Sequence, residues 1–398
     1  MRKIIFIANN NIGNGFSGGD RIFIELIKNW EGKADISLIG SEEAIRIAKY
    51  RGVEGIKIIQ SDTKNKDSNL SLPGFAKHAL KRTAKGIEAA KHETDLIAKA
   101  DFIYSASDFY PDLITAFYIK RKNKRIKWIA GYYLFAPKPW AEDSPYKGHN
   151  RLKGFFYWLM QIPSYFIAKR FADYVFVTSE PDVEKFITKK RDRTKIVVVQ
   201  GGVDILESSN YLKLGKVVPM KDRKYDACFV GRLHYQKGVL ELIDIWNEVV
   251  KKKPGARLAM IGDGPLENEI KNKIEDYSLK NNITLLGFLD GDKKHEIFKQ
   301  SKIMVHPATY DSGGMAAAEG MAWGLPGISF DLEALKTYYP KGMIKTKCGN
   351  NSQFAENVMK LIGDETLYDR LSKEARNLIV DVWDWRKRAE KIYNLTFE

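Results

Sequence analysis

The sequence predicts an α/β protein of two doubly wound domains, each a parallel sheet covered by helices on both faces. Three observations lead there. Short apolar runs alternate with helical patterns along the chain. The alternation lapses between Glu207 and Arg223 and then restarts. Gly231 and Gly262 directly follow two of the apolar runs, as turns leaving a strand do. Short apolar strands separated by helices are the pattern of parallel sheets buried on both sides.

In the first half the strands expected are residues 3–8, 34–39, 56–60, 101–105, 127–131, 174–178 and 195–199. In the second half they are 225–230, 257–261, 283–286, 303–306, 327–330 and 343–346, with helices such as 239–252 and 266–277 between them. The expected domains are therefore 1–206 and 207–382, with a terminal helix over 383–398. Ligands of such sheets bind beyond the carboxyl ends of the strands, so two facing domains would form a cleft.

A chain of 398 residues with 44% hydrophobic content is ordinary for a globular protein and needs no staples. Two distant cysteines, Cys228 in an apolar run and Cys348, make no disulfide framework and fit a reducing cytoplasm. Met1-Arg2-Lys3 runs straight into an apolar strand, so no signal peptide is expected. The most apolar stretch, residues 154–168, is shorter than the ~20 residues of a spanning helix and contains Gln161 and Pro163.

The net charge of +15 fits nucleic acid, an anionic membrane, phosphorylated substrates or a solvated Lys-rich surface. No zinc spacing, RNP motif or reading helix supports nucleic acid. Two basic regions stand out. One is Ile119 to Lys127; the other sets Lys147, Arg151 and Lys153 before an aromatic segment from Phe155 to Phe166, with Lys169 and Arg170 after it. Basic residues beside aromatic ones suit a solvated helix end beside an ordinary core helix, or peripheral contact with an anionic membrane.

The segment His306-Pro307-Ala308-Thr309-Tyr310-Asp311-Ser312-Gly313-Gly314-Met315-Ala316-Ala317-Ala318-Glu319 carries the most chemistry. It reads as a loop feeding a helix over 315–323, with Gly324 and Pro326 as its stop. Gly313 and Gly314 let backbone approach a ligand, and the N–H groups of Gly313, Gly314, Met315 and Ala316 would face a phosphate. Asp311 and Glu319 place one carboxylate on each side. Upstream, Gly231-Arg232-Leu233-His234-Tyr235-Gln236-Lys237-Gly238 supplies two cations after a strand, where a diphosphate would lie. Fixed cations there stabilise the charge that develops as a sugar–phosphate bond breaks.

These motifs resemble retaining family-4 glycosyltransferases of the GT-B fold, whose acidic signature is usually Glu-x7-Glu around Gly-Phe-Gly. Here Asp311, shorter than the usual Glu, stands first, Glu319 second, and Ser312-Gly313-Gly314 replaces Gly-Phe-Gly. The resemblance implies two Rossmann-like domains, a donor domain second and an acceptor domain first, with a Trp-containing terminal helix that crosses back. It implies that Glu319 binds the nucleotide ribose, Asp311 contacts the donor sugar, and Arg232 and Lys237 neutralise the leaving diphosphate. Gly262-Asp263-Gly264-Pro265 matches another family signature, with Gly231 and Gly262 lining the donor site.

The amino-terminal Gly13-Asn14-Gly15-Phe16-Ser17-Gly18-Gly19 resembles the family's mobile loop, which would bring Gly18 and Gly19 to donor phosphate and acceptor. Read literally it is Gly-x-Gly-x-x-Gly, the fingerprint of an NAD(P)-dependent oxidoreductase, but Asn9-Asn10-Asn11-Ile12 separates it from its strand. Asp290-Gly291-Asp292 is a turn before a helix over 293–300, and no metal is expected. On the acceptor side the candidates are Asp108, His149 and Tyr132. Tyr132 ends the strand where family members commonly carry a histidine and this chain has none. The expected partners are a nucleotide-sugar, with no other cofactor, and a glycan or lipid-linked sugar acceptor. The expected location is cytoplasmic, peripheral on the inner face of the cell membrane. A catalytically degenerate protein of the same fold, binding glycan or membrane, is the other reading.

Overall fold

The computed structural model describes residues 1–10, 17–62, 72–141, 144–215, 217–311 and 313–398, the side chains of Leu72, Pro73 and His149 apart. The chain divides into two units, Met1–Gly201 with Trp385–Glu398, and Gly202–Asp384. Unit 1 holds a seven-stranded sheet: β1 (Arg2–Ala8), β2 (Ala34–Ser41), β3 (Lys57–Asp62), β4 (Phe102–Ser105), β5 (Lys127–Gly131), β6 (Tyr174–Val177) and β7 (Ile196–Val198). Unit 2 holds six: β8 (Tyr225–Val230), β9 (Leu258–Ile261), β10 (Ile283–Leu285), β11 (Ser301–His306), β12 (Gly327–Phe330) and β13 (Met343–Thr346). Every pairing among them is parallel.

The strand orders are β3-β2-β1-β4-β5-β6-β7 and β10-β9-β8-β11-β12-β13. Both are doubly wound, and the order reverses between β1 and β4 and between β8 and β11. In such sheets that reversal opens the crevice where ligands bind. The boundary strands differ slightly from the sequence reading: β11 starts at Ser301 because that residue already pairs with Tyr225 of β8. The low-periodicity segment after Glu207 is not all linker; Leu206–Lys213 is a helix of unit 2, tied down by Arg376 bonds to Ser208 and Ser209 of 3.0 and 2.6 Å.

Alternate residues of the strands feed opposite faces of each sheet. In unit 2, Phe229, Met260, Ile303 and Val305 join Trp246 and Phe354 in one core. Cys228, Ala259 and Met304 join Met321, Leu335 and Trp383 in the other. Burial pushes the Cys228 thiol up to about 12, so it is an inert core thiol. In unit 1, Ile5, Ile7 and Ile103 pack with Trp128 on one face, and Phe6 packs on Tyr104 and Trp30 on the other at 4.9 and 6.0 Å.

The chain leaves unit 2 through the π-turn Ile379–Trp383, where the Val203 N–H donates to the Trp383 carbonyl at 2.8 Å. The following helix, Trp385–Phe397, packs within unit 1. Trp30 is its anchor: its indole N–H donates to the Ala389 carbonyl at 2.8 Å, and its ring meets Tyr393 and Phe397 edge to face. Trp30→Ala should destabilise unit 1 by about 3–5 kcal/mol, the cost of truncating a buried aromatic side chain. Denaturant unfolding followed by circular dichroism measures it, and an unchanged midpoint would remove Trp30 as the anchor.

Candidate functional site

The carboxyl ends of β8 and β11 each open into a loop, and the two loops clasp. Gly238 sits at φ 62°, and a Cβ there would lie 1.8 Å from the Pro307 carbonyl oxygen, so only glycine allows the approach. The Gln236 carbonyl then accepts the N–H groups of Thr309 and Tyr310 at 3.1 and 3.2 Å. Gly262 does the same at the end of the neighbouring strand: at φ 138° its missing Cβ would fall 1.9 Å from the Gly231 oxygen. These two glycines of the expected donor motifs are therefore demanded by backbone contact within unit 2.

The clasp delivers Lys237 to Asp311. Lys237 Nζ lies 2.6 Å from Asp311 Oδ2, and His306 Nε2 lies 3.1 Å from the same oxygen. Asp311 Oδ1 accepts the N–H groups of Gly313 and Gly314 at 3.1 and 3.0 Å. Burial alone would raise this carboxyl, but the Lys237 charge and the His306 bond outweigh it and hold it well below the usual carboxylate range. The N–H groups of the glycine pair, read from sequence as facing a phosphate, thus turn to the chain's own carboxylate. Arg232 differs from Lys237. Its side chain is exposed and makes no ion pair among the described residues.

Gly314 takes the left-handed conformation at φ 62° and is held by Tyr339, whose hydroxyl donates to the Gly314 carbonyl at 2.6 Å. The helix that follows, Met315–Met321, is shorter than the expected 315–323 because its end tightens into i→i−3 bonds, Trp323 N–H to the Gly320 carbonyl and Gly324 N–H to the Met321 carbonyl, both 3.0 Å. Glu319 projects from it toward the helix Gly291–Lys299, where Lys294 Nζ meets Glu319 Oε2 at 2.9 Å and Asp290 at 3.2 Å. Lys294 is buried between the two carboxylates. Asp290 is thereby engaged, while the Asp292 side chain is fully exposed, so the Asp-x-Asp pair does not converge. Among the described residues no group of three His, Cys, Asp or Glu side chains is placed to hold a metal ion.

Sequence reasoning missed His306 and Lys294. Their signals were present: a histidine closing a strand five positions before an aspartate, and a lysine four positions after Asp290 on a helix.

In unit 1, Ser17 caps the helix Gly18–Trp30 in a reciprocal box with Asp20, and a Cβ on Gly19 would meet the Tyr133 ring at 3.3 Å. The rest of that loop, Gly13 to Phe16, lies outside the described residues, as do Ser312 and the His149 side chain. Asp108 is buried just after β4. It accepts from Gln161 at 2.8 Å, and burial pushes its carboxyl up to about 6. Tyr132 departs from the acceptor-side expectation. It is 1% exposed, packed on Phe135 and Phe186, and burial holds its hydroxyl well above the ordinary range, which makes it a core residue.

Residues 213–378 match the family Glycosyl transferases group 1. That stretch contains Arg232, Lys237, Lys294, Asp311 and Glu319. The chain is similar to an uncharacterized glycosyltransferase of Methanocaldococcus jannaschii, 23% identical over 217 residues, 50% of this chain and 53% of that protein. It is also similar to the UDP-Gal:alpha-D-GlcNAc-diphosphoundecaprenol alpha-1,3-galactosyltransferase of Escherichia coli, 27% identical over 215 residues, 51% of this chain and 54% of that one. The chain spans about half the length of the curated relatives it matches. Across 99% of both chains its fold matches that of Anabaena HepE, solved in complex with UDP and glucose, with a TM-score of 0.68 and 17% identity. The fold is α/β of the two-domain GT-B class.

Gly238→Ala should cost more than about 2 kcal/mol, above the roughly 1–2 of a non-glycine residue in the left-handed region, because its Cβ also strikes backbone. Denaturant unfolding checks this, and a neutral variant would mean the clasp is loose. A second outcome concerns pH. A carboxyl raised on folding contributes stability that is full below its unfolded pKa and is lost as pH rises through its folded value. Asp108, raised to about 6, should therefore cost the protein stability relative to Asp108→Asn between pH about 4 and about 7. Melting temperatures of both proteins across that range test it; parallel curves would refute it.

Proposed function

We propose that the chain is a retaining glycosyltransferase that moves a sugar from a nucleotide-sugar to a glycan or lipid-linked acceptor in surface polysaccharide or glycolipid synthesis. The observation that carries the reading is the set of groups at the ends of β8 and β11, on either side of the strand reversal of unit 2. Arg232 and the Lys237–Asp311 pair stand at those ends, and the helix bearing Glu319 follows directly. The relative named for transfer from UDP-galactose to a diphosphoundecaprenol-linked sugar supports a UDP-sugar donor and a lipid-linked acceptor. The family match favours sugar transfer over the nicotinamide reading.

In this reading Arg232 meets the diphosphate as an exposed cation with no ion-pair partner among the described residues. Lys237 is shared between the diphosphate and Asp311, and the N–H groups of Met315 and Ala316 contribute beside it. Glu319, steadied by Lys294, accepts the ribose hydroxyls, while Asp311 orders the loop that faces the sugar. The bond from the anomeric carbon to the diphosphate oxygen breaks, and its electron pair leaves with the diphosphate. The acceptor oxygen bonds to the same face of that carbon, and its proton passes to the departing phosphate oxygen. Charge neutralisation by Arg232 and Lys237 stabilises the leaving group most where its charge is greatest, in the transition state.

Glu319→Ala should abolish sugar transfer with the fold retained. Arg232→Ala should weaken nucleoside diphosphate binding roughly ten- to a hundredfold, the loss expected for a hydrogen bond to a charged group. Calorimetric titration with UDP and turnover of UDP-sugars on a lipid-linked acceptor measure both. A fully active Glu319→Ala protein would sink the assignment.

A further inference from the structure

The helix Arg151–Phe171 packs Tyr165, Ile167 and Phe171 on the core of unit 1 but turns four other large apolar side chains to solvent. Its buried residues are Gly154, Gln161, Ser164 and Ala168. Leu152, Phe155, Leu159 and Phe166 are instead 66, 42, 48 and 63% exposed, and Pro163 and Arg170 are exposed as well. At 3.6 residues per turn these six exposed positions fall within an arc of about 80°, opposite Gln161 and Ala168. The apolar ones run along about 21 Å of the helix. Trp140, 58% exposed, adds to this face by packing edge to face on Trp158 at 5.0 Å.

The rotation of the helix is locked from its inner side. Gln161 donates to Asp108 and to the Leu134 carbonyl and accepts the Ala136 N–H, at 2.8, 2.7 and 2.7 Å. Gly154 lies against the Tyr146 ring, where a Cβ would come within 2.7 Å. Turning the apolar stripe inward would break all of these contacts, so its exposure is built in. Contiguous exposed apolar surface of this kind marks a binding face.

Charge identifies the occupant. Lys147, Arg151, Lys153 and Arg170 are exposed around the stripe, and Lys169 lies beside the Tyr165 ring at 5.3 Å. The helix itself contains no Asp or Glu. A second copy of this chain would bring the same positive flanks together, whereas an anionic lipid surface complements them. The helix is not apolar enough to cross a membrane. We propose that it lies in the plane of an anionic bilayer interface, with the stripe from Leu152 to Phe166 among the upper acyl chains and the basic residues at headgroup level. The inference stands on unit 1 alone and does not depend on the transferase reading.

The test is sedimentation of the full chain with vesicles of phosphatidylcholine, or of phosphatidylcholine mixed with phosphatidylglycerol. Binding to the mixed vesicles should be at least about tenfold tighter, and it should fall with salt. Replacing Leu152→Ser, Phe155→Ser, Leu159→Ser and Phe166→Ser together should weaken it by more than about tenfold. Those side chains are exposed, so circular dichroism and melting should stay native. Arg151→Ala and Lys153→Ala should each cost about fivefold. Emission from Trp140 and Trp158 should be quenched by brominated lipid. Equal affinity for neutral and anionic vesicles would overturn the proposal, as would unchanged binding of the fourfold variant. So would a stable dimer that the fourfold variant dissociates, because the face would then belong to a second copy. None of these failures touches UDP binding or turnover.

Discussion

The close approach of Gly238 to the Pro307 carbonyl is the constraint on which the chemistry of unit 2 rests. It brings two loops from adjacent strand ends into backbone contact, and with them Lys237 to Asp311. A carboxylate receiving Lys237, His306 and two backbone N–H groups is satisfied on both oxygens. Such a group is a hub of structure. It sets the loop geometry ahead of the helix that carries Glu319, and it keeps Lys237 fixed at the carboxyl end of the sheet.

The two cations of the Gly-Arg-Leu motif therefore have different physics. Lys237 is tethered, and any phosphate must share it with Asp311. Arg232 is exposed, with no ion pair among the described residues, and is a planar five-donor group suited to bidentate contact with phosphate. Glu319 is likewise pre-positioned, because Lys294 holds one of its oxygens from a neighbouring helix. Burying a carboxylate without such a partner would be costly, which explains why a lysine sits inside the unit at this place.

Much of this was legible in one dimension. Parallel strands buried on both faces announce themselves as continuous apolar runs, and the glycines after β8 and β9 mark where the chain turns away from the sheet. Asp311 and Glu319 could be singled out as the acids before and inside a glycine-led helix. Their partners could not: Lys294 and His306 become meaningful only when a helix and a strand end are packed beside them. Tyr132 shows the opposite failure. A tyrosine at a strand end reads as cleft-facing, yet neighbouring aromatic rings enclose it because Phe135, Tyr165 and Phe186 converge from three separate segments.

The sequence by itself determined the architecture, since hydrophobic periodicity and turn chemistry are local properties that any window of the chain displays. It also determined which residue types stand at the strand ends. Tertiary structure alone decided which of them meet and which faces are presented. Residues 155–166 left a core helix and a membrane-facing one both open in sequence, because an almost continuous apolar run has no weak side to reveal its orientation. The inward bonds of Gln161 and the missing side chain of Gly154 settled that rotation, and with it the exposure of Leu152, Phe155, Leu159 and Phe166.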